Sequence, residues 1–292
     1  KVDPCILQCK DLNYYVGKEN KQILFDVTAR FMPGELIAVM GPSGSGKTTM
    51  LNVFSGRQSG RVKGAGGNNE PVTCNGQPMN LGIFRQKGNF VPQLDILDEG
   101  MTSEEVLHYV VKLRLPAEIW PPEKAQKHVE QIFSDLGLTH VKDVIVGGAS
   151  RKGLSGGQKK RLSVAMELVD NPSLLFLDEP TSGLDSRTAK DIVGTMKSLT
   201  HKYGIVTMCV IHQPPEAAFL SFDRLLLLQK GHVCFLGNPR DVQPFLEEYA
   251  GKMPERENPA DWMFDVLEES VNESSGEIPY SKHWVEYCDR DK

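Results

Sequence analysis

The sequence lacks any apolar run near the roughly 18 residues of a membrane-crossing helix; the longest candidates, Leu36–Met40 and residues 225–228, are strand-length. It also lacks an excess of basic charge. With 33 Lys and Arg against 38 Asp and Glu the net charge is −5, which argues against a nucleic-acid partner, because phosphate backbones call for clustered cations. Its six cysteines, Cys5, Cys9, Cys74, Cys209, Cys234 and Cys288, form no C-x-x-C pair and no zinc-finger spacing. A chain of this length buries a full core without a disulfide framework, so free thiols in a reducing compartment are expected, with Cys5 and Cys9 in ordinary strand packing. Residues 1–10 hold no apolar h-region, so no signal peptide is expected. Neither end shows a domain boundary, and a piece of something longer is expected.

What is present is an α/β pattern. Residues 5–16 and 23–31 are predicted strands joined by the polar turn 17–20. Leu36–Met40 is a continuous apolar run, the mark of a strand buried on both faces. It leads into a Gly-rich turn and a helical stretch ending near Gly56. Residues 56–86 read as strands with loops, 60–69 being a surface excursion. From Thr102 the period becomes helical: Thr102 with Glu105 makes a capping box, and Val106, Tyr109, Val110 and Leu113 form the predicted apolar face. Pro121 and Pro122 separate this from a second helix with Val129, Ile132, Phe133 and Leu136 on one face, ended by Gly137. Residues 174–177 and 205–211 are buried strands with a helix over about 187–200 between them. Residues 225–229 and 232–236 pair around Lys230 and Gly231. The tail from residue 255 is charged, and 271–276 reads as a flexible interruption.

Three groups of residues carry chemistry. Gly41, Pro42, Ser43, Gly44, Ser45, Gly46, Lys47 and Thr48, followed by Thr49, match the P-loop pattern between an apolar strand and a helix. Glycines there let backbone N–H groups converge on phosphate oxygens, and the following helix points its positive end at the same anion. Lys47 can reach the β- and γ-phosphates, and the Thr48 hydroxyl is placed to ligate Mg²⁺. Residues 174–177 end in Asp178 and Glu179, two acids at the strand edge where α/β sheets bind ligands. Asp178 would hold Mg²⁺ through water, and Glu179 would polarise the attacking water. Finally, Leu154, Ser155, Gly156, Gly157 and Gln158 open a helix whose Ser cap and two glycines leave N–H groups free for an anion.

In this order and spacing the motifs resemble the nucleotide-binding domain of ABC transporters, in which residues 154–158 match the signature motif. The resemblance implies an ABC-type P-loop NTPase fold with a mixed sheet core, an N-terminal antiparallel β-subdomain and a helical signature subdomain over about 102–172. The ATPase domain would span 1–254, with 255–292 leading toward a transmembrane domain. It implies Gln93 as the Q-loop contact to Mg²⁺, Asp185 in the D-loop and His212 as the switch histidine. ATP and Mg²⁺ are the implied cofactors. The implied partners are a second nucleotide-binding domain, identical or different, and the transmembrane domain of the same transporter, at the cytoplasmic face of a membrane. Residues 179–186, 211–214, 222–225 and 258–265 resemble the G subfamily, largely exporters of lipophilic compounds or lipids.

Some features depart from that pattern. Where many family members place an adenine-stacking aromatic, the count falls on Val16, just after Tyr14 and Tyr15. Residues 60–75 are longer and more Gly-rich than expected, which reads as a loop insertion. Lys159, Lys160 and Arg161 open the signature helix against its dipole; this reads as a solvated face, with a contact to the partner's nucleotide or to acidic residues as the alternative. Other readings are a soluble ABC-type ATPase acting on chromosomes or ribosomes, a non-catalytic nucleotide sensor, and a kinase or GTPase. The first calls for a long coiled coil or a second cassette, the second for substitutions at Lys47, Asp178, Glu179 or His212, and the third for a different base-reading motif. The sequence shows none of these.

Overall fold

The computed structural model describes residues 3–67, 70–148, 151–255, 257–269 and 279–290. The predicted flexible stretch 271–276 lies outside them. The chain opens with β1 (Leu7–Val16) and β2 (Lys21–Phe31), then β3 (Leu36–Met40) and α1 (Lys47–Phe54). The short strands β4 (Arg61–Lys63), β5 (Val72–Cys74) and β6 (Gln77–Pro78) follow, and then α2 (Leu81–Lys87) and β7 (Gly88–Val91). Three helices come next: α3 (Ser103–Arg114), α4 (Pro122–Asp135) and α5 (Gly156–Leu168). After them the chain alternates β8 (Leu174–Asp178), α6 (Ser186–Tyr203), β9 (Val206–Val210) and α7 (Glu216–Phe219), then makes the hairpin β10 (Arg224–Gln229) and β11 (His232–Gly237). It closes with α8 (Val242–Ala250), α9 (Pro259–Glu269) and α10 (Pro279–Arg290).

Two sheets form. The antiparallel one has the order β2-β1-β5-β6, with β4 also on β1; the other has the order β11-β10-β3-β9-β8-β7, parallel except for its β10–β11 edge. The apolar runs of β3, β8 and β9 follow from cover on both faces. Ile37, Val39, Phe176 and Met208 pack toward Leu7, Leu24, Phe31 and Phe54, from the antiparallel sheet and α1. The alternate residues Ala38, Met40, Leu175, Leu177 and Cys209 pack toward the helical layer at Val106, Leu162, Ile192 and Met196. Register then sets the site. Val39 and Asp178 both pair with Val210, and Val91 pairs with Leu177, so Gly41, Gln93, Glu179 and His212 leave the sheet at one edge.

The capping box of α3 forms as predicted: the Thr102 hydroxyl accepts from Glu105 N at 3.2 Å, and Glu105 Oε2 accepts from Thr102 N at 2.8 Å. Thr102→Ala is expected to lower stability by about 1 kcal/mol. An unshifted denaturation midpoint would mean the cap contributes nothing.

Four expectations need correction. The buried face of α3 is Val106, Leu107, Val110 and Val111, while Tyr109 and Leu113 are 55% and 68% exposed. Residues 56–86 contain a helix, α2, capped by the Asn80 side chain accepting from Ile83 N at 3.0 Å. Phe84 alone is buried on it, so no apolar stripe announces it. Within 60–75 the described residues carry β4 and β5 rather than a plain loop, and Gly60 N donates to the buried Tyr14 hydroxyl at 3.1 Å. Cys5 is joined to Cys74 by a disulfide where the chain enters β1 beside β5, whereas Cys9, Cys209 and Cys234 are buried outside any disulfide.

Candidate nucleotide site

The turn from β3 into α1 is built around close approaches. Gly41 has φ 148°, and a Cβ there would lie 2.0 Å from Leu228 O, so no larger residue fits. Gly46, at φ 100°, starts α1 in a left-handed conformation. The hairpin turn braces the loop from outside: Gly231 N donates to Ser45 O at 3.0 Å, and Gly231 O accepts from Phe25 N at 3.0 Å. Lys47 is buried, and its Nζ donates to Gly41 O at 2.8 Å and Pro42 O at 2.9 Å. Burial holds its pKa below the ordinary lysine value, and the nearby charges of Glu179 and Asp178 oppose that shift. Ser45 Oγ is buried inside the loop with no hydrogen-bond partner. A glycine-rich loop with a buried ammonium and an unpartnered buried hydroxyl fits a polyphosphate.

The acids stand beside it. Thr48 Oγ1 donates to Asp178 Oδ1 at 3.2 Å, and Gln93 Nε2 donates to Glu179 Oε2 at 2.8 Å. Burial raises the Asp178 carboxyl above its usual value, the Thr48 hydrogen bond lowers it, and the Glu179 charge raises it further. Glu179 and Gln213 have φ of 47° and 42°, a left-handed backbone that non-glycine residues seldom adopt. Glu179 N still reaches Val210 O at 3.0 Å, so the chain turns out of β8 while the backbone stays paired. His212 lies two residues past the end of β9 and is exposed, its ring 5.9 Å from that of Phe264.

The structure thus brings Lys47, Thr48, Gln93, Asp178 and Glu179 together. The signature residues have other neighbours. Ser155 caps α5, its hydroxyl accepting from Gln158 N at 3.3 Å while Gln158 Oε1 accepts from Ser155 N at 2.9 Å. A Cβ on Gly157 would lie 2.5 Å from Thr188 Cγ2, and one on Gly156 would lie 3.2 Å from Leu184 Cδ2, so both glycines let α5 pack on the start of α6. Asp185 caps α6, accepting from Arg187 N at 3.1 Å, Thr188 N at 3.0 Å and Thr188 Oγ1 at 2.6 Å. Tyr14 is buried under Gly60, and Tyr15 lies 5.7 Å from both Arg61 and Lys63, leaving Val16 half-buried at the end of β1.

Sequence reasoning ranked one contact here second and missed another. The basic run is not a solvated face: Lys159 Nζ donates to Gly147 O at 2.7 Å, and Lys160 pairs with Asp95 at 2.7 Å. The contact to acidic residues is present, at Asp95. Phe264 beside His212 was missed, although it lies in the stretch 258–265 singled out on other grounds. Asn258 ties that stretch down, donating through Nδ2 to Pro214 O at 3.3 Å.

A P-loop with paired acids at one sheet edge, and a separate Ser-capped helix start with paired glycines, defines an ABC-type ATPase domain. The family model described as ABC transporter matches residues 24–182, and one described as ABC-2 type transporter matches residues 212–286. The chain belongs to the ABC transporter family. It is similar to ABC transporter G family member 28 of Arabidopsis thaliana, 39% identical over 89% of this chain and 23% of that protein. G family member 21 of the same plant is 41% identical over 87% of this chain and 37% of that protein. G family member 22 of Dictyostelium discoideum is 38% identical over 88% and 42%. The chain therefore spans well under half the length of these curated relatives. Among solved structures, cbiO1 from Clostridium perfringens, part of the ABC transporter complex cbiONQ, shares the fold with a TM-score of 0.68. It is 24% identical, and the match covers 82% of this chain and 91% of that one. No helix among the described residues is long and apolar enough to cross a membrane. The chain binds nucleotide and is an ATPase.

Proposed function

We propose that this ATPase drives export through a membrane portion of the same transporter, lying at that membrane's cytoplasmic face and working as a pair of nucleotide-binding domains. The supporting observation is a divided site. Lys47, Thr48, Gln93, Asp178 and Glu179 converge at one sheet edge, while the Ser155 helix start makes its hydrogen bonds elsewhere. A second copy, or a homologous half, would bring its Ser155, Gly156, Gly157 and Gln158 over the γ-phosphate, with Asp185 across the interface. Thr48 and Gln93 would hold Mg²⁺ directly and Asp178 through water, an oxygen set suited to a hard cation that keeps part of its hydration shell. Bound Mg²⁺ supplies charge neutralisation at the phosphates.

The chain's own residues then act in order. Residues 41–49 fix the phosphates, with Val16 offering an apolar contact to adenine. Glu179, held by Gln93, orients and polarises the water, and His212 donates near the γ-phosphate. ATP closes the pair and hydrolysis reopens it. Coupling to the membrane portion is part of the same reading; Leu94 and Ile96, one and three residues after Gln93, are 79% and 80% exposed. Lipophilic compounds or lipids are the proposed cargo, as the resemblance of residues 179–186, 211–214, 222–225 and 258–265 to the G subfamily implies.

The test is ATP turnover per domain as a function of protein concentration. Turnover that rises with concentration is expected for sites completed by a second copy. ATP binding with constant turnover per domain would mean each chain is complete alone.

A further inference from the structure

The Gln93 segment is pinned to the signature helix by one buried ammonium. Lys160, in the second turn of α5, is only 4% exposed. Its Nζ lies 2.7 Å from Asp95 Oδ1, 2.9 Å from Gln93 O and 3.5 Å from Pro92 O. Asp95 Oδ1 also accepts from Ser163 Oγ at 2.8 Å, one turn further along α5. Residues 92–95 are thus laid across two side chains of the helix that begins at Ser155. From the same residue the Gln93 side chain leaves toward Glu179 Oε2, at 2.8 Å. A run of bonds therefore joins the Ser155 helix, the Lys160 ammonium, the Gln93 backbone, the Gln93 amide and the Glu179 carboxylate.

The cost of burying a lysine falls when its protons have acceptors, and here three oxygens supply them. Two of those oxygens are backbone carbonyls flanking and including Gln93, so the ammonium fixes the place from which the Gln93 side chain departs. Loops are held loosely unless something of this kind holds them, and a reacting group displaced by about 1 Å loses rate on the order of 100-fold.

We propose that Lys160 is a positioning residue: it sets Gln93 against Glu179 and ties that setting to the helix that carries Ser155. This rests on the reading above, in which Gln93 and Glu179 serve the chain's own ATP and Ser155 serves the partner's. On that reading Lys160 links the two ATP sites through a single side chain, so that a shift of the signature helix at one site is felt by Glu179 at the other.

The experiment measures ATP binding and turnover for the wild-type chain, Lys160→Met, Lys160→Arg, Gln93→Ala, and Lys160→Met combined with Gln93→Ala. Lys160→Met is expected to lower kcat about tenfold while the ATP dissociation constant stays within about twofold, because the P-loop is untouched. Lys160→Arg, which keeps the charge and donors, should retain most of the turnover. In the Gln93→Ala background the same Met substitution should change kcat by less than about twofold, since the group it positions is gone. Should Lys160→Met fail to fold, Asp95→Asn in the same two backgrounds replaces it, with a smaller fall that again vanishes with Gln93→Ala. Wild-type kcat in Lys160→Met, or an equal fall in both backgrounds, would overturn the proposal and leave Lys160 as a structural ion pair. Turnover independent of protein concentration would remove the paired-site reading by itself, while the Lys160–Gln93 coupling remains separately measurable.

Discussion

Glu179→Gln is expected to bind ATP and hold it, with turnover reduced by roughly 10²- to 10⁴-fold, the usual worth of a positioned general base. The substitution is close to isosteric. The amide oxygen it introduces can still accept from Gln93 Nε2, so the 2.8 Å contact survives and only the basic carboxylate is lost. A glutamine can hold the left-handed backbone that residue 179 needs, as Gln213 does at φ 42°, so the turn out of β8 should not be disturbed. Binding and chemistry should therefore separate cleanly. ATP should accumulate on the variant, and closed pairs should persist in light scattering after wild type has returned to single chains. Undiminished turnover would remove Glu179 from the role of base.

Lys47→Ala should act one step earlier. Its ammonium is buried between the carbonyls of Gly41 and Pro42, within reach of the charges of Asp178 and Glu179. Removing it deletes the cation facing the phosphates and leaves the two acids uncompensated beside an anion. Hydrogen bonds to a charged group contribute about 1.5–3 kcal/mol, so ATP affinity should fall roughly 10- to 100-fold, with turnover lost even at saturating nucleotide. Fluorescent-nucleotide titration with circular dichroism alongside separates this from unfolding. A near-normal dissociation constant in a folded variant would contradict the placement of Lys47 at the phosphates.

The two variants therefore divide the site between holding and reacting, and both parts were legible in the sequence. Leu36–Met40, 174–177 and 205–211 could be read as buried strands because cover on both faces demands unbroken apolar runs, and that cover is present. The P-loop and the acids were legible because each needs particular residue types at fixed local spacing. The order of strands in the parallel sheet follows from packing, and no local pattern states it. On α3 apolar residues stand at 106, 107, 109, 110, 111 and 113, so two overlapping stripes satisfy a helical period. Contact with α4 and α5 selects the stripe containing Leu107 and Val111 and leaves Tyr109 and Leu113 in water. Asp95 and Lys160 are far apart in sequence, and nothing local in either announces the other. Charge in a sequence reads as surface until a partner from another element is in view.

The cap at Ser155 narrows the choice of residue at that position. Its oxygen accepts from Gln158 N and so starts the helix, and a hydroxyl that accepts in this way still has a proton to donate. A helix start takes Asp as readily as Ser. A phosphate does not, because a carboxylate has no proton to give and brings a charge of the same sign. Folding alone would admit about five residue types at position 155, and on the proposed reading phosphate recognition would keep those that carry a hydroxyl. A measure of stability would therefore score an acid there as harmless.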